Sequence, residues 1–239
     1  NPSMHLRELE VLRTLQKSEA QGSYYFASMI PELVNAGSYE DVEGKLHSVI
    51  IYRDKHEFDW TLADVMSEYP NGVDGQTLVW MMKRVLEILG WVEDNGFVHC
   101  GIAPAHVLIH PANHGAILLD WSHARIPGTQ LGIISGSCEP YYPEMELDDK
   151  PVDSSTDIAM LCKTMIAVVG GNPATGDAPK EIPQKLTDLL WIHGRYLETD
   201  KKFRHQSALK LHDELVRTAE EIYGPASYHP FVMPAQQDK

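Results

Sequence analysis

Apolar residues first recur at helical spacing between residues 4 and 17. There Leu6, Leu9, Leu12 and Leu15 share a face and Ser3 is placed to cap the start. Two segments rich in strand formers follow, Tyr24–Ile30 and His47–Tyr52, separated by a polar turn region. The run 54–59 reads as a hinge, and Trp60–Tyr69 as a short helix closed by Pro70-Asn71-Gly72. The longest amphipathic pattern covers Gly75–Asn95. Leu78, Met82, Val85, Leu86, Leu89 and Val92 line one broad face, Met81-Met82 reads as core filler, and Gly96 is the stop. Val107–Ile109 and Ala116–Leu119 are short apolar runs around an Asn113-His114-Gly115 turn. Signal is low from Ser122 to Tyr142. Asp153 to Asp157 then caps a buried helix, Ile158–Val169. Helices over Pro183–Tyr196 and Ser207–Tyr223 complete the pattern, and a proline-dotted segment from Gly224 reads as a loose tail. No internal repeat is present.

Composition narrows the class. The apolar content is ordinary for a soluble globular protein. The net charge of −14, with no Lys/Arg block, argues against nucleic-acid binding. No apolar run reaches the roughly 18 residues of a membrane span. Three cysteines, Cys100, Cys138 and Cys162, are too few and of the wrong parity for a disulfide framework, which points to a reducing cytoplasm. Met4-His5-Leu6-Arg7-Glu8 leads into a helix with no signal-peptide pattern, and Asn1-Pro2-Ser3 reads as a trimmed start.

The stretch His99–Ser122 carries the chemistry. It runs loop, strand, turn, strand, then a polar loop opened by Asp120. His99-Cys100-Gly101-Ile102, three residues and His106, followed by Asp120-Trp121-Ser122, resembles the catalytic loop and metal-binding loop of protein kinases, whose patterns are H-R-D-L-x-x-x-N and D-F-G. Tyr142-Pro143-Glu144 resembles the A-P-E end of the activation segment. Asp157 matches the aspartate that holds the catalytic-loop backbone, and Arg204 matches the partner of Glu144. Glu8 matches the helix glutamate that pairs with the nucleotide-binding lysine. Singly these residues have plain alternatives: a core histidine at His99, a turn carboxylate at Asp120, a surface cation at Arg204. Their order and spacing from about Leu6 to Tyr223 carry the resemblance.

The resemblance implies an α+β, bilobal protein kinase-like fold. Residues 1–59 would form an incomplete small lobe, 60–224 a mainly helical large lobe, and 225–239 a tail. The Gly-rich loop and strand lysine would precede Glu8; this sequence does not contain them, either because it starts after them or because the protein lacks them. Only residues 170–182 are available for a helix that kinases place after the buried one.

The chemistry of phosphoryl transfer is largely missing. Gly101 stands where a carboxylate should orient the hydroxyl, so no catalytic residue is assigned. Ala103 replaces a lysine, Cys100 an arginine and Ser122 a glycine. His106 offers nitrogen where magnesium wants oxygen, and Asp120 alone could hold a divalent ion. Scaffold positions are kept: His99, Trp121 and Leu12 match the hydrophobic column that joins the lobes, and Glu8, Glu144, Asp157 and Arg204 match structural anchors. A kept scaffold with a degenerate catalytic loop is the pattern of a pseudokinase. The expected role is that of a scaffold or regulator that binds a protein partner. Tyr24, Phe26, Ile50 and Tyr52 are candidates for its exposed apolar surface.

The alternative is an atypical active kinase, with ATP and Mg2+ held at His106 and Asp120, a neutral-range base at His106, and Asp149 or Asp153 approaching from the activation segment. Two further readings are weaker. Leu118-Leu119-Asp120-Trp121 also resembles small-molecule kinases of the aminoglycoside or choline type, which equally need the missing aspartate. His106, His110 and His114, with Cys100 and His123 nearby, have metal-ligand residue types. Pro111 and the strand pattern argue against the helix that would align them.

Overall fold

The computed structural model describes residues 2–132, 136, 138–143, 151–195 and 206–234. The fold is α+β, with seven α-helices and two small antiparallel sheets among the described residues. None of those helices is long and apolar enough to cross a membrane.

Helix α1 (Pro2–Gln16) buries Leu9, Val11, Leu12 and Leu15. Leu6 is exposed, and Ser3 lies inside the helix, so it is not the expected cap. The strand expected over Tyr24–Ile30 is instead a short helix α2 (Ser23–Phe26) running into a 3-10 turn, Ala27–Met29. Tertiary contacts override strand propensity here. The Gly22 carbonyl accepts from the Tyr25 and Phe26 amides. Trp91 Nε1 donates to Ser23 Oγ at 3.0 Å, and the Phe26 ring stacks on Trp91.

The supposed polar turn is itself a strand. β1 (Leu33–Glu40) pairs antiparallel with β2 (Leu46–Tyr52) in a two-stranded sheet. Asp41 closes the hairpin by accepting the Glu43 and Lys45 amides on its carboxylate. The expected helix from Trp60 starts two residues later: Trp60–Thr61 is strand β3, and α3 spans Leu62–Glu68. The reason is a reciprocal cap, in which Thr61 Oγ1 accepts the Asp64 amide and Asp64 accepts the Thr61 amide.

Helix α4 (Gly75–Asp94) begins at Asp74, whose carboxylate accepts the Gln76 and Thr77 amides. It packs its broad apolar face into the core with α5 (Ser154–Val168), which is buried along nearly its whole length. Between them in sequence lie β4 (Val107–His110) and β5 (Gly115–Leu118), paired with β3 in the order β3-β4-β5. Helices α6 (Gln184–Gly194) and α7 (Ala208–Tyr223) close the body. Glu93 on α4 caps α7 by accepting the Ala208 amide at 2.7 Å.

The segment after Gly224 is not loose as far as Pro234. Phe231 and Met233 are buried. Phe231 packs on Tyr69 and Trp80, and Tyr228 stacks on His114, which stacks in turn on Trp80. Proline removes helical periodicity from such a segment without preventing its docking in extended form.

Candidate functional site

Residues 99–106 are held from below by α5. The Asp157 carboxylate accepts the His99 amide at 2.6 Å and the Cys100 amide at 2.7 Å. Burial pushes the Asp157 pKa up to about 7, against the pull of those two amides. Tyr142 Oη donates to the Cys100 carbonyl at 2.7 Å. Cys100 adopts a φ of 57°, unusual for a residue with a side chain, so the loop is held in place and not merely tolerated.

His99 is fully buried and neutral. Its Nε2 donates to the Leu119 carbonyl at 3.0 Å and its Nδ1 accepts the Gly101 amide at 3.1 Å. Burial pushes its pKa down to about 3. The ring lies edge-on to Trp121 at 4.6 Å. Trp121 is itself buried, donates Nε1 to the Leu118 carbonyl, and presents its backbone amide to Glu8 Oε1 at 3.4 Å. Leu12, on the same helix as Glu8, is fully buried.

Glu8 is reached by an unexpected partner. Tyr52 Oη, at the end of β2, donates to Glu8 Oε1 at 2.9 Å. Burial raises the Glu8 pKa, opposed by that hydrogen bond. Tyr52 was legible only as an apolar strand residue, because nothing in the sequence pairs positions 44 residues apart.

Asp120 opens the polar loop at a φ of 57°. Its Oδ1 accepts Ser122 Oγ at 2.5 Å and the Ser122 amide at 3.3 Å. Its Oδ2 faces His106 Nε2 at 3.4 Å. The other ring nitrogen, Nδ1, donates to the Gly101 carbonyl at 2.7 Å and lies 3.8 Å from Cys138 Sγ. Burial opposes charge on His106, but Cys138, the Gly101 carbonyl and Asp120 together outweigh it and raise its pKa to about 9. At neutral pH the site therefore holds an imidazolium beside the Asp120 carboxylate, which burial raises and Ser122, His106 and His99 bring below its ordinary value.

These contacts decide the fit of a nucleotide with magnesium. Both Asp120 oxygens already have partners, one hydroxyl and one cationic ring. A cation at His106 opposes a second cation on Asp120. Gly101 supplies no carboxylate, and the residue that meets Glu8 is a phenol and not an ammonium. Asp120 would hold a divalent ion only by exchanging one of these partners.

The other candidate groupings separate. His110 Nε2 turns to Glu57 at 2.9 Å and His114 stacks on Trp80, so the three histidines do not converge. No cluster of metal-ligating side chains exists among the described residues. Asp153 caps α5 through the Ser155 amide. Tyr24 is fully exposed, whereas Phe26 turns onto Trp91 and Tyr52 onto Glu8, which takes both out of an open apolar surface. Glu144, Asp149 and Arg204, including the expected Glu144–Arg204 pair, lie outside the described residues.

With this geometry in view, the comparisons with known proteins point one way. The chain is 24% identical over 191 residues to the serine/threonine-protein kinase PknB of Mycobacterium tuberculosis (strain H37Rv), the match covering 65% of this chain. The likeness is to a kinase, and it is distant. PknB of Mycobacterium bovis matches to the same extent. The match spans 30% of the length of these relatives. No family model matches the chain.

Proposed function

We propose that this chain is a pseudokinase-like scaffold or regulator, one that binds a protein partner and transfers no phosphoryl group. In this reading residues 1–59 are a partial small lobe, 60–224 the large lobe and 225–239 a tail. The observation that carries it is the closed contact set at residues 99–122. Asp157, His99 and Trp121 are engaged as a scaffold would need them. Meanwhile Gly101 stands where a carboxylate is needed, and His106 lies against Asp120 where a metal would have to bind. Phosphoryl transfer depends on positioning and charge neutralisation, and the charge beside Asp120 is here supplied by His106.

Titration calorimetry with ATP and magnesium tests the proposal. No binding in the micromolar range is expected, and the Asp120→Ala variant should behave as the wild type does. Micromolar affinity abolished by Asp120→Ala, accompanied by transfer of radiolabelled phosphate to a protein or small-molecule acceptor, would establish the atypical-kinase alternative instead.

A further inference from the structure

We propose that residues 225–234 form a strap that closes over α4 and α7 at neutral pH and opens on mild acidification, with His114 as the latch. This inference is independent of the kinase-like reading.

The strap leaves α7 at Gly224, which adopts a φ of 82° and stands in open space, so the chain has a hinge there. Beyond it, no backbone–backbone hydrogen bond among the described residues holds the segment. Its attachments are side-chain contacts. Tyr228 Oη donates to the Ala112 carbonyl at 3.1 Å, Tyr69 Oη donates to the Val232 carbonyl, and Phe231 packs on Tyr69 and Trp80. His229 Nε2 meets the Asp74 carboxylate at 3.1 Å. A segment held in this way can open without breaking a helix or a strand. Opening uncovers a groove between α4 and α7 lined by Val79, Trp80, Val216 and Ala219.

His114 is the middle of three stacked rings, its centroid 4.2 Å from Trp80 and 4.8 Å from Tyr228. Its Nε2 is buried and has no hydrogen-bond partner among the described residues. A proton added there becomes a buried charge without an acceptor. The surroundings do not compensate. Arg84 on α4, whose Nε donates to the His114 carbonyl at 3.0 Å, and His229 on the strap both oppose a positive ring. Glu87 is paired with Arg84 and Asp74 with His229, while Lys83 on α4 and Glu220 and Tyr223 on α7 line the same cavity. Burial, Arg84 and His229 together hold the ring's pKa below the ordinary 6.5, against a hydrogen bond with the His229 backbone. Stacked aromatic rings favour a cation at exposed sites, and burial outweighs them here. Because the value in the closed strap lies below the ordinary one, closure is supported above 6.5 and loses that support as pH falls through the closed value. The His229–Asp74 pair acts in the opposite sense and is the weaker effect, since its side chains are 30% and 57% exposed.

Limited proteolysis within residues 225–234 reads the open population, corrected at each pH by the cleavage rate of a free peptide of that sequence. From about pH 7.5 to about pH 5.5 the corrected rate should rise several-fold while the far-UV circular dichroism stays unchanged. His114→Phe keeps a ring in the stack and removes the proton, so its rate should stay low and flat. His229→Gln should open at least as readily as the wild type near pH 5.5, having lost only the opposing pair. A check that needs no variant comes from NMR of the wild type, where the His114 ring and the buried Met233 methyl should titrate together. A flat wild-type rate, a rise that persists in His114→Phe, a His229→Gln strap that stays closed, a rise that comes only with loss of helical signal, or a Met233 methyl that ignores the His114 titration would each overturn the proposal.

Discussion

The backbone amides of His99 and Cys100 point at the Asp157 carboxylate from inside the protein, 2.6 and 2.7 Å away. Asp157→Ala removes the acceptor from both, and each stranded buried amide costs about 1–3 kcal/mol. Part of that is returned because burial disfavours the carboxylate's charge. The expected net loss is about 3 kcal/mol, read as a lowered urea midpoint with an unchanged slope. An unaltered midpoint would mean that the loop is held by other contacts. His106 gives a test of opposite character, through pH. Its folded pKa of about 9 lies above the ordinary 6.5, so the protonated ring favours the folded state. That contribution is complete below the ordinary value and disappears as pH rises through the folded one. Wild type should exceed His106→Gln by about 2 kcal/mol near pH 6 and by nothing measurable near pH 10, since one pKa unit is about 1.4 kcal/mol before solvent screening is discounted. A gap that stays constant with pH would remove the imidazolium from the account. At this scale motif spacing singles out His99, Asp120 and Asp157 without giving all their partners. The Asp120–Ser122 contact was within reach, being two residues apart, but Tyr52 on Glu8 and Cys138 beside His106 depend on the folded path of the chain.

Among the elements, the helices with a strong apolar stripe are legible to within one or two residues, except that α5 begins four residues before the expected Ile158. α4 and α5 are set by their own caps, Asp74 and Asp153, and by faces too wide to belong anywhere but the core. Failures fell where propensity and burial pulled apart. Tyr24-Tyr25-Phe26 has strand composition, yet the Gly22 turn and the Trp91 contacts wind it into α2. β1 has little alternation because much of it is exposed, so its pairing with β2 could not be read from hydrophobicity. The docking of the segment after Gly224 leaves no trace in the sequence, because extended form carries no period. Its anchor is Phe231, 8% exposed, with ring centroids 5.5 Å from Tyr69 and 5.9 Å from Trp80. Phe231→Ala should release residues 225–234. Limited proteolysis should then cut within them at a much higher rate, while the global midpoint falls by less than the roughly 3–5 kcal/mol of a central core deletion. Equal cleavage rates in variant and wild type would show that Phe231 is not the anchor.

The molecule as a whole divides by burial. α5 is enclosed along its length and α4 over its broad face, and the loop at residues 99–106 is tied to α5 through Asp157. The β1–β2 hairpin stands outside this enclosure. Several of its large apolar side chains, Val34, Tyr39, Leu46 and Ile51, are exposed, and a side-chain hydrogen bond from Tyr52 to Glu8 ties it to α1. The order of motifs along the sequence could show that such a core exists, but not which side chains of the hairpin lie outside it. Opening free energy follows buried apolar area and the number of protected backbone bonds, so the two parts should open separately. In hydrogen exchange on dilute protein, the β1–β2 amides should exchange at least about 100-fold faster than those of α5, a gap of about 2.7 kcal/mol in opening free energy. The His99 and Cys100 amides should exchange with the slow group even though they lie in a loop, because releasing them requires Asp157 on α5 to move. If those two amides instead exchange as fast as the hairpin, the Asp157 contact does not couple the loop to the core.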